Sequence, residues 1–377
     1  MRAERFRRLL ELLPAAAALC LLVLQPERVS AAAQAGVKQC LTAVIPSLFP
    51  FFVLTRLLLS GGQSRRSGPV SRLFQKLFAV PASALRVFLL GLVSGFPVGA
   101  SAAAELYRRG ECTASEAERL LVFCNNCGPG FLFGIAAAHV SGGVRSAALL
   151  MIVQALSAVW LGALLGAGET VSDSKGQSNQ SEPTSFVRAF TSAVQSGGRS
   201  ALTVCAYVIF FTALTAFLPE SPLLRGIFEL TGGILLLPEG RGSLPAAAFL
   251  LGFGGLSVAC QVLAVLDGSG LRGGQYLPGK LLQAAVMTVT VFLIQRFPLL
   301  LPPWALALIF LIYAEKGRKK RKNQVYCNER GERNAVSQED RTRLRLLRLC
   351  FARRRGHRHL REKGRHAAVE KLPQLPV

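Results

Sequence analysis

Histidine is almost missing from this chain: four in 377 residues, three of them beyond residue 356. His139 alone cannot serve a hydrolytic triad. Cys124 and Cys127 form a C-x-x-C, yet no second pair and no nearby histidine completes a zinc set. No phosphate-cradling glycine loop and no carboxylate dyad stands out. The residue types argue against an enzyme and imply neither a metal nor a cofactor. Charge is scarce too, at 17% against 51% hydrophobic residues. Nine cysteines lie mostly inside apolar runs (Cys20, Cys40, Cys205, Cys260), where they pack as small hydrophobes and imply no disulfide framework.

What charge there is lies unevenly. From Glu315 onward there are 20 Lys+Arg against 7 Asp+Glu, which is 13 of the net +23. The rest of the chain alternates short charged stretches with seven nearly uncharged runs: Leu12–Gln25, Leu41–Thr55, Ser146–Gly168, Ser200–Leu218, Leu244–Leu266, Leu281–Gln295 and Phe297–Ala314. Several approach the roughly 20 residues of a spanning helix. A soluble domain would show a polar face at helical spacing, and these runs are apolar all round. The fold class is an all-α polytopic membrane protein. Arg2, Arg5, Arg7 and Arg8 ahead of the first run, and "SAAAQA" after it, also fit a cleaved signal peptide. The membranous remainder favours an uncleaved first span over residues 1–26.

The chain reads as two related halves. "LTAVIPSLFPFFVLTRLL" (41–58) aligns with "ALTVCAYVIFFTALTAFL" (201–218), "FLLGLVSGFPVGASAAAEL" (88–106) with "FLLGFGGLSVACQVLAVL" (249–266), and "ERLLVF" (118–123) with "GKLLQA" (279–284). The order and a near-constant offset carry more weight than any one match. This gives a first repeat at 27–168, a polar, turn-rich linker at 169–185, a second repeat at 186–314 and a basic tail at 315–377. About 8–10 membrane segments follow, an inverted-repeat arrangement of the kind secondary transporters use. The mixed stretches 27–39 and 185–199 read as amphipathic helices in the interface. A leading span plus four elements per half gives an odd number of crossings. The positive-inside rule, however, places both basic termini on the cytoplasmic side; insertion of 223–238 would restore even parity.

Helix breakers sit inside the apolar segments. Ser94, Gly95, Pro97 and Gly99 interrupt the first half, and Gly254 and Gly255 the second at the corresponding place. Unpaired backbone is tolerated at membrane depth only inside protein or beside a wet cavity. A restarted helix presents free N–H groups and a positive dipole end, suited to an anion. Ser94, Ser101, Ser257 and Gln261 are the side chains placed to assist. The plain alternative is that these glycines allow close helix packing. A third break follows a capping box at Thr113 and Glu116: Asn125 and Asn126 precede Gly128 and Pro129. Two adjacent amides there either meet a substrate or cap the flanking half-helices. Arg119 and Lys280 sit before Leu-Leu in equivalent helices, as anion-attracting cations or as snorkelling interface residues. Glu105 and Glu229 are candidates for a coupling proton or cation; Arg225, four residues before Glu229, makes a local ion pair the simpler expectation there.

"IPSLFPFF" (45–52), "GLVSGFPVGA" (91–100) and "FCNNCGPGFLFG" (123–134) resemble the YlbJ (SpoVV) family of sporulation integral membrane proteins. That family is grouped with proteins carrying a nucleoside-recognition gate domain, related to concentrative nucleoside transporters. The likeness spans about residues 10–314, is specific in those three motifs and looser in the second half. It implies a protein of the outer forespore membrane of an endospore former, moving the planar dianion dipicolinate toward the forespore for core and cortex maturation. Substrate contacts by that likeness would come from Ser94, Gly95, Pro97, Gly99, Asn125, Asn126, Gly128 and Pro129. The tail, with "KGRKKRK" (316–322), departs from the family pattern. It reads as a solvated extension that could hold anionic lipid or RNA, with no specific nucleic-acid site. The partners expected are thus a small anionic solute, the bilayer and, in an assembly, a second copy. A nucleoside permease, and a membrane scaffold for spore assembly with no solute path, are the rival readings.

Overall fold

The computed structural model describes residues 22–60, 68–171, 185–240 and 242–297, with Leu13, Ala16, Leu19 and Cys20. Most of the expected first span, most of the polar linker, the run after Phe297 and the basic tail lie outside the described residues. Among the described residues every regular element is helical. Five helices are long and apolar enough to cross a membrane: Pro26–Leu57, Gly143–Gly166, Phe186–Thr215, Ser243–Leu266 and Tyr276–Arg296. They cover five of the seven uncharged runs, as expected of a polytopic membrane protein.

The first long helix joins α1 (Pro26–Gln39) to α2 (Ile45–Ser60) through one wide turn at Cys40–Val44. Nothing between them stops the helix, so residues 27–39 extend the span instead of forming a separate interfacial helix. The second half repeats this: 186–199 are the opening turns of the 30-residue helix that ends at Thr215. A helix of 32 residues reaches about 48 Å at 1.5 Å per residue, beyond a hydrocarbon core of roughly 30 Å. The mixed composition of these stretches reflects the turns that emerge. The two long helices pack together through glycine. A Cβ on Gly36 would meet the Ile209 backbone at 3.0 Å, and one on Gly197 would meet the Val53 side chain at 2.9 Å. Small residues at such crossings let helix backbones approach.

After a short helix α3 (Pro69–Phe78), the first broken segment folds back on itself. Helices α4 (Ala84–Ser94) and α5 (Val98–Arg108) form a hairpin turning at Gly95–Pro97, where Gly95 has φ 78°, favoured by glycine alone. A Cβ on Gly91 would sit 3.2 Å from the Cα of Gly99, eight residues on, a separation no continuous helix allows. Then come α6 (Ala114–Cys124), opened by the expected Thr113–Glu116 capping box, an unwound stretch at 125–128, the short α7 (Pro129–Gly134) and the 24-residue α8 (Gly143–Gly166).

In the second half, α9 (Phe186–Thr215) leads into two short helices, α10 (Pro222–Phe228) and α11 (Leu230–Leu235), that double back around Glu229. A Cβ on Gly233 would meet the Pro222 carbonyl at 2.8 Å, closing a tight hairpin. Helices α12 (Ser243–Phe253) and α13 (Gly255–Leu266) follow, then α14 (Tyr276–Arg296). Each half therefore runs from a long helix through a hairpin and a broken segment to an apolar helix. The matched breaks are not built alike. Three residues including a proline separate α4 from α5 and reverse the chain. Between α12 and α13 no proline intervenes: Gly254 and Gly255 both take positive φ, 85° and 84°, and 243–266 together are long and apolar enough for one span.

Candidate functional site

The breaks converge. Phe96, at the tip of the α4–α5 turn, lies where a Cβ on Gly254 would meet its ring at 3.2 Å. Gly95 lies against the backbone of Gly128, so the first and third breaks are packed directly on each other, while Gly255 lies against Gly226 and Leu230 of the α10–α11 hairpin. Between them is a small cavity of about 40 Å³, walled by Gly95, Phe96, Gly128, Glu229, Ser257 and Gln261 among mostly apolar neighbours. It is large enough for water. Five positions singled out in the sequence thus share one cavity: Gly95, Gly128, Glu229, Ser257 and Gln261.

Glu229 is buried at the hairpin turn, and its carboxylate caps α11 by accepting from the Thr231 N–H at 3.0 Å and the Gly232 N–H at 2.6 Å. The Gln39 amide donates to it at 3.5 Å. The expected pairing with Arg225 does not form. Arg225 turns instead to Glu220, at 3.7 Å, and donates to the Leu218 carbonyl. The reason lies in the break at 229. Glu229 still bonds its N–H to the Arg225 carbonyl, but its own backbone is extended (φ −138°) and starts the reversal, so the carboxylate is drawn to the free N–H groups of the next helix. The positive end of α11 is therefore occupied by the protein's own carboxylate.

Behind Phe96 lies a buried polar cluster that joins the halves. Lys280 on α14 donates to the Asn125 carbonyl at 2.9 Å and to the Gln283 side-chain oxygen at 2.6 Å, and its Nζ lies 5.5 Å from the centre of the Phe96 ring. Gln283 donates in turn to Asn126 Oδ1 at 2.8 Å and Ser157 Oγ at 3.3 Å. Asn126 donates to the Phe123 carbonyl, and Asn125 to the Tyr276 hydroxyl. Gln154 on α8 spans the unwound stretch, accepting from the Cys127 N–H at 3.2 Å and donating to the Cys127 carbonyl at 2.8 Å. This is how bare backbone at 125–128 is satisfied in an apolar interior. Among the described residues Lys280 has no carboxylate partner. Three nearby oxygens are buried without any partner: Ser94 Oγ, Asn125 Oδ1 and Gln261 Oε1.

The remaining positions divide. Gly99 serves close packing, since a Cβ there would overlap the Cys124 carbonyl; Gly91 does the same. Pro97 and Pro129 open helices α5 and α7, and the Ser101 hydroxyl bonds back to the Pro97 carbonyl. Cys124 is buried with its thiol toward the Gly99 carbonyl, and Cys127 is buried beside it. Glu105 stands apart from the cavity, paired at the surface with Arg108 at 3.2 Å and Arg109 at 2.8 Å. Arg119 does not join Lys280: it donates to the Ala79 carbonyl at 2.7 Å and pairs with Glu169 at 3.4 Å. Sequence reasoning missed Phe96, Gln154, Ser157, Gln283 and Tyr276. A signal was present for two of them, since Gln154 is the one side-chain amide in α8 and Gln283 stands one helical turn from Lys280.

Long apolar helices, helical hairpins and breaks facing a buried polar cluster define a multi-pass α-helical membrane protein. No family model and no solved structure matches the chain. It is 29% identical over a 326-residue alignment to "Sporulation integral membrane protein YlbJ" of Bacillus subtilis (strain 168), covering 72% of this chain and 78% of that protein. The chain is thus similar to that sporulation membrane protein over most of its length.

Proposed function

We propose that this protein carries a small anionic metabolite across a membrane of the sporulating cell, with dipicolinate as the substrate and the outer forespore membrane as its location. The observation that carries the reading is Lys280: a buried lysine amine held, among the described residues, by neutral oxygens alone, one aromatic ring from a cavity where the breaks meet. A charge inside an apolar bundle is costly unless paired, and functional when it persists. An anionic guest would supply the missing partner. Attraction then rests on Lys280 more than on half-helix N-termini, one of which Glu229 already caps. The cavity of about 40 Å³ admits water and not an organic dianion, so entry requires the α4–α5 and α10–α11 hairpins to part, with Phe96 moving aside. Glu229, on the opposite wall, would repel a dianion unless protonated, which makes it the natural site for a coupling proton.

The test is uptake of labelled dipicolinate into proteoliposomes, with uridine as the competing nucleoside. Wild-type protein should concentrate dipicolinate, uridine should not compete, and Lys280→Gln should abolish uptake. Competition by uridine would favour a nucleoside permease. Uptake of neither solute would favour a scaffold.

A further inference from the structure

Helix α3 is not accounted for by a solute path. Its inner face is fixed: Phe74 and Phe78 are buried in an aromatic cluster with Phe88 and Phe123, ring centres 4.2 to 6.4 Å apart. Gly162 and Gly166 on α8 leave room for Phe78. The rest of the helix is unlike a soluble surface. Val70 and Leu73 are each 65% exposed. Arg72 and Lys76, one turn apart and opposite Phe74, are exposed with no acidic partner among the described residues. At 10 residues the helix is too short to cross a bilayer. The surrounding sequence has one sign. From Arg28 to Ala104 there are eight Lys+Arg (residues 28, 38, 56, 65, 66, 72, 76 and 86) and no Asp or Glu.

We infer that α3 lies in the membrane–water interface and binds anionic phospholipid headgroups through Arg72 and Lys76, with Val70 and Leu73 in the acyl boundary. A helix whose third face is anchored to the protein, whose second is apolar and whose outermost is cationic fits that boundary and little else. Six of these, Arg56 to Arg86, lie in sequence at or beyond the far end of the first long helix, with no acidic residue before Glu105; they match an anionic leaflet and, by the positive-inside rule, put this end of the bundle on the cytoplasmic side. The inference does not depend on transport.

The test uses the full chain carrying Leu73→Trp, reconstituted in vesicles of phosphatidylcholine containing phosphatidylglycerol, with bromine on the acyl chains of one lipid or the other. Each basic side chain near an anionic surface is worth about a factor of five in local lipid preference. Quenching of the introduced indole, corrected for the parent protein's own tryptophans, should therefore report an association constant for phosphatidylglycerol roughly 25-fold that for phosphatidylcholine at low salt. The preference should fall toward unity in Arg72→Gln/Lys76→Gln and at 0.5 M salt, where charges at the surface are screened. Equal quenching by both lipids in parent and variant would overturn the inference of anionic recognition. Absence of quenching by either lipid would overturn the interfacial placement. Thermal unfolding of the charge variant, expected to match the parent in neutral detergent, separates lost lipid from lost fold.

Discussion

Replacing Lys280 by methionine separates two roles that a buried charge can have. The structure gives the Lys280 amine two hydrogen-bond acceptors, the Asn125 carbonyl and Gln283 Oε1. Removing the donor leaves both buried, at about 1–3 kcal/mol for each unsatisfied group. Removing the charge itself returns several kcal/mol, since taking an ion into an apolar interior is costly, and apolar replacements of buried ionic groups are often neutral or stabilising by about 1–4 kcal/mol. Methionine has a similar length and fills the space. The terms nearly cancel, so the midpoint of thermal unfolding should move by only a few degrees. Binding should respond quite differently. Truncating one partner of a buried charge pair costs about 2–5 kcal/mol, which is at least a 30-fold loss of affinity at 1.4 kcal/mol per decade. The assay is dipicolinate uptake and equilibrium binding on one purified preparation whose unfolding is measured in parallel. A variant as stable as wild type that also binds and transports with unchanged concentration dependence would refute the reasoning. It would leave Lys280 as a structural residue.

Three further outcomes follow from the geometry. Gly91→Ala places a Cβ against the Cys124 carbonyl, backbone that cannot yield, and should lower stability by several kcal/mol, whereas Gly68→Ala, with open space around it, should be near neutral; thermal unfolding checks both. Glu229→Gln keeps one acceptor for the α11 N-terminus at a cost of about 1 kcal/mol and should flatten the pH dependence of uptake; an unchanged profile would remove Glu229 from coupling. Burial, with the charges of Glu116 and Glu111 close by, pushes the Cys112 thiol up to about 12. It therefore stays protonated and should resist maleimide at pH 8 in the folded protein, reacting at ordinary speed once denatured.

The elements followed from composition and spacing because membrane helices announce themselves. Five of the seven uncharged runs, the Thr113–Glu116 capping box and the glycine and proline breaks appear where the residues require them. Geometry beyond the segment was less legible. Gly95–Pro97 and Gly254–Gly255 look like counterparts in one dimension, yet the first folds back on itself across three residues including a proline, while the second has no proline and leaves 243–266 long and apolar enough for one span. The α10–α11 hairpin was concealed by its shortness: seven and six residues give no periodic signal. Glu229 looked like a partner for Arg225 on helical spacing, but its extended backbone at the hairpin turns the carboxylate to the next helix. Asn125 and Asn126 were visible as costly amides, but their partners Tyr276, Phe123 and Gln283 come from folding, and the first and last of these lie some 150 residues away in sequence. Lys280 could be seen as a cation; that it lies buried without a carboxylate could not.

The central claim is that an anionic guest reaches Lys280 between the hairpins. A structure of the protein solved with dipicolinate tests it most directly. The account predicts one carboxylate of the guest within hydrogen-bonding distance of Lys280 Nζ, with Phe96 displaced and the cavity enlarged between residues 95–97 and 229–231. Dipicolinate bound elsewhere, or Lys280 still closed over by Asn125, Gln283 and Phe96 at saturating ligand, would contradict it.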